Sequence, residues 1–176
     1  MNAMAFVVFL FMEKKMKHHL LSVSALSLVI LFSCCIPVGA HFGMVIPSDN
    51  MVMPEDERTL ALDLSFSHPF EMVGMELVKP KAFFLVKDGK KKDLLLALKN
   101  TSVMGHKAWT AQYGIKRPGA YHFVMEPKPY WEPAEDCFIV HYTKTCVAAF
   151  GDDSGWDEEL GLKTEIVPLA KPYGLY

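Results

Sequence analysis

Five histidines lie between residues 41 and 141 of this 176-residue chain: His41, His68, His106, His122 and His141. Neutral imidazole is a common protein ligand for transition metals, and no Ser-His-Asp pattern accompanies these five. His41 carries the most chemistry. It follows Ile36-Pro37-Val38-Gly39-Ala40, where Val38-x-Ala40 has the small residues of a signal-peptidase site. A cut after Ala40 leaves a chain beginning His41-Phe42-Gly43-Met44. Its α-amine and imidazole can then chelate one metal ion, and an α-amine titrates near pH ~8, far below a lysine amine. The competing reading makes His41 simply the first residue of a strand.

The other four differ in setting. His68 stands in Ser67-His68-Pro69-Phe70 at the end of an alternating strand pattern, and Pro69 holds its backbone extended. Strand ends and loops are where sites are assembled on β scaffolds, so His68 is a ligand candidate or else a loop cap. His141 sits within Phe138-Ile139-Val140-His141-Tyr142-Thr143-Lys144, which reads as mid-strand. A lone histidine there is by itself more often a packing residue. His122 alternates with Tyr121 and Phe123; with Tyr121 pointing inward, His122 is expected at the surface. His106, in Met104-Gly105-His106-Lys107, is expected in a solvated turn.

The segment Glu126-Pro127-Lys128-Pro129-Tyr130-Trp131-Glu132-Pro133-Ala134-Glu135-Asp136 is the other unusual stretch. Its prolines stiffen a surface bearing Tyr130 and Trp131. Glu132, Glu135 and Asp136 could complete a metal shell or orient a ligand histidine from behind. Equally, the segment could be a polar loop whose aromatics pack on the end of the domain. One loop without an opposing acid gives little support to glycoside hydrolysis. Met44, Met51, Met53, Met72 and Met75 are thioethers that would favour Cu(I), although methionines more often fill cores.

These residues need a scaffold, and the chain length bounds it. Residues 1–40 read as a signal peptide: Lys14, Lys15, Lys17, His18 and His19 form a basic region, and Leu20 to Ile36 an apolar one too short to span a membrane comfortably. Met1 to Met12 is apolar and precedes the basic patch, which is unusual for a signal peptide, so the true start is expected at Met12 or Met16. Leu31-Phe32-Ser33-Cys34 also resembles a lipoprotein box, so a lipid anchor on Cys34 is the alternative to a free periplasmic protein. Residues 41–176 suffice for one domain. They carry 15 basic and 19 acidic residues, a net charge of −4. The basic residues are scattered apart from Lys90-Lys91-Lys92, which argues against a nucleic-acid partner. Cys137 and Cys146, read as two ends of one strand, would lie about 30 Å apart. They are expected to be unpaired thiols.

The pattern along residues 41–176 is of short strands between turn signals. Thr59 to Phe66 alternates, with Leu60, Leu62, Leu64 and Phe66 on one face. Ala82 to Lys87 and Lys92 to Leu96 read as a hairpin about Asp88-Gly89. Ala108 to Ile115, Ala120 to Glu126, Phe138 to Ala149 and Thr164 to Pro168 follow. Met72 to Leu77 and Gly155 to Glu159 are the expected short helices. About seven strands at this spacing predict an all-β, immunoglobulin-like β-sandwich forming a single domain. Gly119-Ala120-Tyr121 has the entry of a tyrosine corner.

Taken together, four stretches resemble the periplasmic accessory proteins associated with nickel and cobalt uptake, a family long described as a domain of unknown function. They are Ala40-His41-Phe42-Gly43-Met44-Val45-Ile46-Pro47-Ser48, Leu62-x-Leu64-x-Phe66-x-His68-Pro69, Tyr130 to Asp136 with Phe138 to Lys144, and Pro168-Leu169-x-x-Pro172-Tyr173-Gly174-Leu175. The resemblance implies an immunoglobulin-like sandwich that handles Ni(II) or Co(II) as cargo beside a permease of the energy-coupling-factor type. It strengthens His141 as a ligand beside His41 and His68. On this expectation the protein is periplasmic and not an enzyme, and contacts the membrane only through a partner or a lipid on Cys34. Two rivals use the same nitrogens: a copper chaperone binding Cu(II), and a copper monooxygenase-like enzyme with an N-terminal histidine.

Overall fold

Alternation of apolar and polar residues organises the chain into strands with one buried face. The computed structural model describes residues 41–133 and 135–173. The described residues belong to one compact unit, residues 40–176. The expectations for the leader, the start at Met12 or Met16, Cys34, and the Gly174-Leu175 end of the last motif lie outside the described residues.

The strands are β1 (Phe42–Pro47), β2 (Met51–Val52), β3 (Thr59–His68), β4 (Val73–Met75), β5 (Ala82–Lys87), β6 (Lys90–Asp93), β7 (Lys99–Val103), β8 (His106–Gly114), β9 (Gly119–Glu126), β10 (Tyr130–Glu132), β11 (Cys137–Ile139) and β12 (Thr143–Ala149). One sheet runs β1-β3-β8-β7, with β4 also paired to β3. The other runs β2-β12-β9-β5-β6, and β10 with β11 forms a separate two-stranded ribbon. Pairing is antiparallel except between β12 and β2. Leu60, Leu62, Leu64, Phe66 and Trp109 of the first sheet meet Phe83, Leu85, Tyr121, Phe123, Met125 and Val147 of the second in one core. The fold is the all-β sandwich that the spacing of turns predicts.

Local chemistry explains the corners. Asp88 and Gly89 both take positive φ, 51° and 65°, the geometry a two-residue hairpin turn needs for strands of native twist. Tyr121 closes a tyrosine corner: its hydroxyl donates to the Arg117 carbonyl at 2.8 Å and accepts from the Arg117 amide at 3.0 Å.

Several element expectations are corrected. The stretch from Phe138 to Ala149 is not one strand: β11 ends at Ile139 and β12 begins at Thr143. His141 therefore lies in a break rather than mid-strand. Cys137 and Cys146 are free, as expected, but they sit on two different strands. Residues 72–77 contain β4 instead of a helix, because β3 runs on to His68 and offers them an edge to pair with. Residues 155–157 form a turn and 158–159 are irregular, so there is no helix there, and 164–168 carry no strand.

His122 is corrected too. It points away from the core, yet it is only 1% exposed. The C-terminal segment, residues 150–173, lies over that face of the second sheet. His122 Nε2 is 2.8 Å from the Gly155 carbonyl. Lys144 Nζ donates to the Glu158 carbonyl at 3.0 Å and to Glu165 Oε1 at 3.3 Å. Glu165 in turn accepts from the Leu160 amide. Burial, opposed by the bond to Gly155, holds the His122 imidazole below its usual pKa.

Candidate metal centre

The pole where β1 begins and β3 ends gathers the histidines singled out from the sequence. Phe42 pairs with Ser67, so the residue before β1 falls beside the last residue of β3. The His41 and His68 rings accordingly lie 4.0 Å apart, centroid to centroid. His141 arrives from the break between β11 and β12. It can approach because residue 43 is a glycine: a Cβ there would sit 3.3 Å from the His141 Cβ. Thr143 pins this approach by donating its hydroxyl to the Gly43 carbonyl at 2.7 Å.

Phe66 and Tyr130 each pack against both His41 and His141. Phe66 lies 5.7 Å from both His41 and His141, and Tyr130 stacks on His141 at 5.6 Å with planes 13° apart. Tyr130 donates its hydroxyl to Glu132 Oε2 at 3.2 Å, and the same oxygen lies 3.7 Å from His41 Nδ1. His68 Nδ1 faces Glu71 at 3.9 Å. Burial, then the nearby charge of His41, pushes the His141 imidazole below its usual pKa, so it is neutral and able to ligate near pH 7. Its Nε2 is buried without a hydrogen-bond partner. Burial and the bond to Glu132 push the Tyr130 phenol up.

The ribbon divides the remaining expectations between two faces. Tyr130 and Glu132 point at the histidines. Trp131 points away and packs edge-on against Phe138 at 5.1 Å. Glu135 and Asp136 lie exposed at the ribbon's turn, where Asp136 takes φ 51°. His106 is half-exposed beside Glu76, with Nδ1 3.6 Å from its carboxylate. Met51 and Met53 line a cavity with Tyr173, beside β2 at the far end of the sandwich from the histidines.

These contacts define what the pole can do. Two ligands bonded to one ion at about 2.0–2.2 Å stand some 3–4 Å apart, the separation of His41 Nδ1 and Glu132 Oε2. A third donor is not yet in range: among the described residues, no three His, Cys, Asp or Glu side chains converge on one ion position. His141 is gathered into the same aromatic cluster through Phe66 and Tyr130. Its orphaned Nε2 is the observation that fits a ligand role, since a buried polar atom is normally satisfied. Residues 38–176 match the family model described as "Domain of unknown function (DUF4198)". The chain belongs to the DUF4198 family. Comparison with curated proteins gives no match.

Glu71 and Phe66 were not read from the sequence as parts of the site. Glu71 stands three residues after His68 in a loop, and nothing in its type or spacing distinguishes it from a solvated acid. Phe66, by its place in the alternation with Leu60, Leu62 and Leu64, is indistinguishable in the sequence from a core residue.

Proposed function

We propose that this DUF4198 domain is a periplasmic accessory protein that binds Ni(II) or Co(II) as cargo at the histidine pole and passes it to a membrane permease. The reading is supported chiefly by the gathering of His41, His68 and His141, from three separate segments, at one end of the sandwich. In a chain cut after Ala40, the His41 amine and Nδ1 form the chelate. His68 is the third nitrogen, and His141 or Glu132 the fourth donor. His141 reaches the others by a shift together with the ring stacked on it, Tyr130, whose short ribbon has no ladder partner but β11 among the described residues. Every ligand must be deprotonated, so affinity falls as pH drops.

Nickel titration by calorimetry at pH 7.5 tests this on three proteins: one beginning at His41, one with a single glycine ahead of His41, and His41→Ala. Loss of the chelate should weaken binding by at least about tenfold in both altered proteins. Equal affinity in all three would refute the role of the free amine. Cu(II) favours the same nitrogens by intrinsic affinity, so metal content on recovery from the envelope, rather than affinity alone, separates the uptake reading from a copper chaperone.

A further inference from the structure

Apolar side chains left in solvent crowd the histidine pole. Phe70 is 92% exposed, Met72 71% and Phe138 68%, and Phe42, Val73 and Trp131 are exposed beside them. Single exposed apolar residues need no explanation, whereas a grouped set of this size marks an interaction surface. The grouping follows from the contacts already described. Residues 69–73 leave β3 directly after His68, and Phe42 follows His41. The ribbon lies against the same rings from the other side, because Tyr130 is 6.1 Å from His41. Strand alternation in the ribbon turns Tyr130 and Glu132 inward and leaves Trp131 and Phe138 as an outward aromatic pair. Two flanks and the edge of one pole thus form an apolar collar.

We propose that this collar docks the domain on the surface of a zwitterionic phospholipid bilayer. Three observations select that occupant. Trp is one of the side chains that settle at the membrane–water interface, and exposed Phe beside it adds apolar area that the headgroup–acyl boundary can bury. The charges interleaved with them, Glu71, Glu135 and Asp136 against Lys128, are mostly acidic and disfavour an anionic surface. The basic run Lys90-Lys91-Lys92 lies instead on β6, whose hairpin turn is at the other end of β5, so an anionic membrane would select the opposite pole. Finally, the chain enters the fold at this pole. The apolar stretch Leu20 to Ile36 ends five peptide steps before His41, at most about 18 Å of extended chain. A chain that keeps that stretch is tied within that distance of the pole where β1 begins. The inference uses none of the metal chemistry and stands or falls without it.

Residues 40–176 are a compact unit with their own core, so the test uses the metal-free protein beginning at His41. Co-sedimentation with phosphatidylcholine vesicles, alone or with added phosphatidylglycerol, gives the partition coefficient, and tryptophan emission reports burial of Trp131. Binding to phosphatidylcholine with a blue shift is expected. Trp131→Ser with Phe138→Ser should lower partitioning by about tenfold or more, and Phe70→Ser, on the other flank, should weaken it independently. Leu169→Ser removes an equally exposed apolar side chain from the C-terminal segment and should change nothing. Far-UV circular dichroism confirms that each variant is folded. Absence of binding, binding that appears only with phosphatidylglycerol, or binding unaffected by the collar variants would overturn the proposal; the first of these would assign the collar to a protein partner.

Discussion

Replacing His141 by phenylalanine should make the metal-free domain more stable while impairing metal capture. The imidazole stacks on Tyr130 and contacts Phe66, and a benzyl ring of similar shape keeps both contacts. What it removes is Nε2, buried without a partner. An unsatisfied buried polar atom costs about 1–3 kcal/mol, and apolar replacement of similar shape recovers part of that. Allowing for the slightly larger ring, the expected gain is about 1 kcal/mol at pH 7.5, or ~3 °C in Tm for a domain of this size. Urea unfolding followed by tryptophan fluorescence measures the first quantity, since Trp109 is buried in the core and reports its opening. Nickel titration measures the second, and the proposed ligand role requires a loss of about tenfold or more. Destabilisation by more than about 1 kcal/mol would refute the reasoning about the orphaned nitrogen. A stabilised variant with full nickel affinity would reduce His141 to a packing residue.

Two further outcomes follow from the corners of the fold. Tyr121→Phe deletes both hydrogen bonds to Arg117 and should cost about 1–2 kcal/mol in urea unfolding with little change in slope. Burial lowers the folded pKa of His122, so the unfolded chain takes up that proton first; its contribution is fully present above about pH 6.5 and falls as pH drops below it, by at most about 1.4 kcal/mol per pH unit. His122→Gln should flatten that acid limb between unfolding curves at pH 7.5 and 5.5, and an unchanged limb would contradict the assignment.

The core strands were legible because their physics is local. Leu60, Leu62, Leu64 and Phe66 alternate, and all four are buried. The Asp88-Gly89 turn and the Tyr121 corner are equally short-range and were equally readable. The failures share one cause, which is that coverage by a distant segment leaves no trace in a window of neighbours. His122 reads as a surface residue because nothing within ten positions says that residues 150–173 will lie over it. Residues 72–77 read as a helix turn because their fate depends on how far β3 extends. The histidines were legible as a set, but their mutual geometry was not. That geometry depends on Phe66 and Tyr130, which lie far apart in the chain, meet at 4.9 Å and each touch both His41 and His141.

The break between Ile139 and Thr143 ties these matters together. Had Phe138 to Ala149 run as one strand, alternation would have carried His141 along the face of the second sheet and kept Cys137 in the same ladder. Instead the chain leaves the sheet. It spends β11 on a ribbon of its own and returns at Thr143, whose hydroxyl is bonded to Gly43. The break therefore does two things at once. It delivers His141 to the start of β1, against the one residue there without a Cβ. It also builds the ribbon that covers the histidines with Tyr130 and shows Trp131 and Phe138 to the outside. Glycine at 43 eases the first, since a Cβ there would crowd that of His141 at 3.3 Å, and strand alternation gives the second. Any movement of the ribbon away from the pole must accordingly change the exposure of the histidines and the placement of the aromatic pair together.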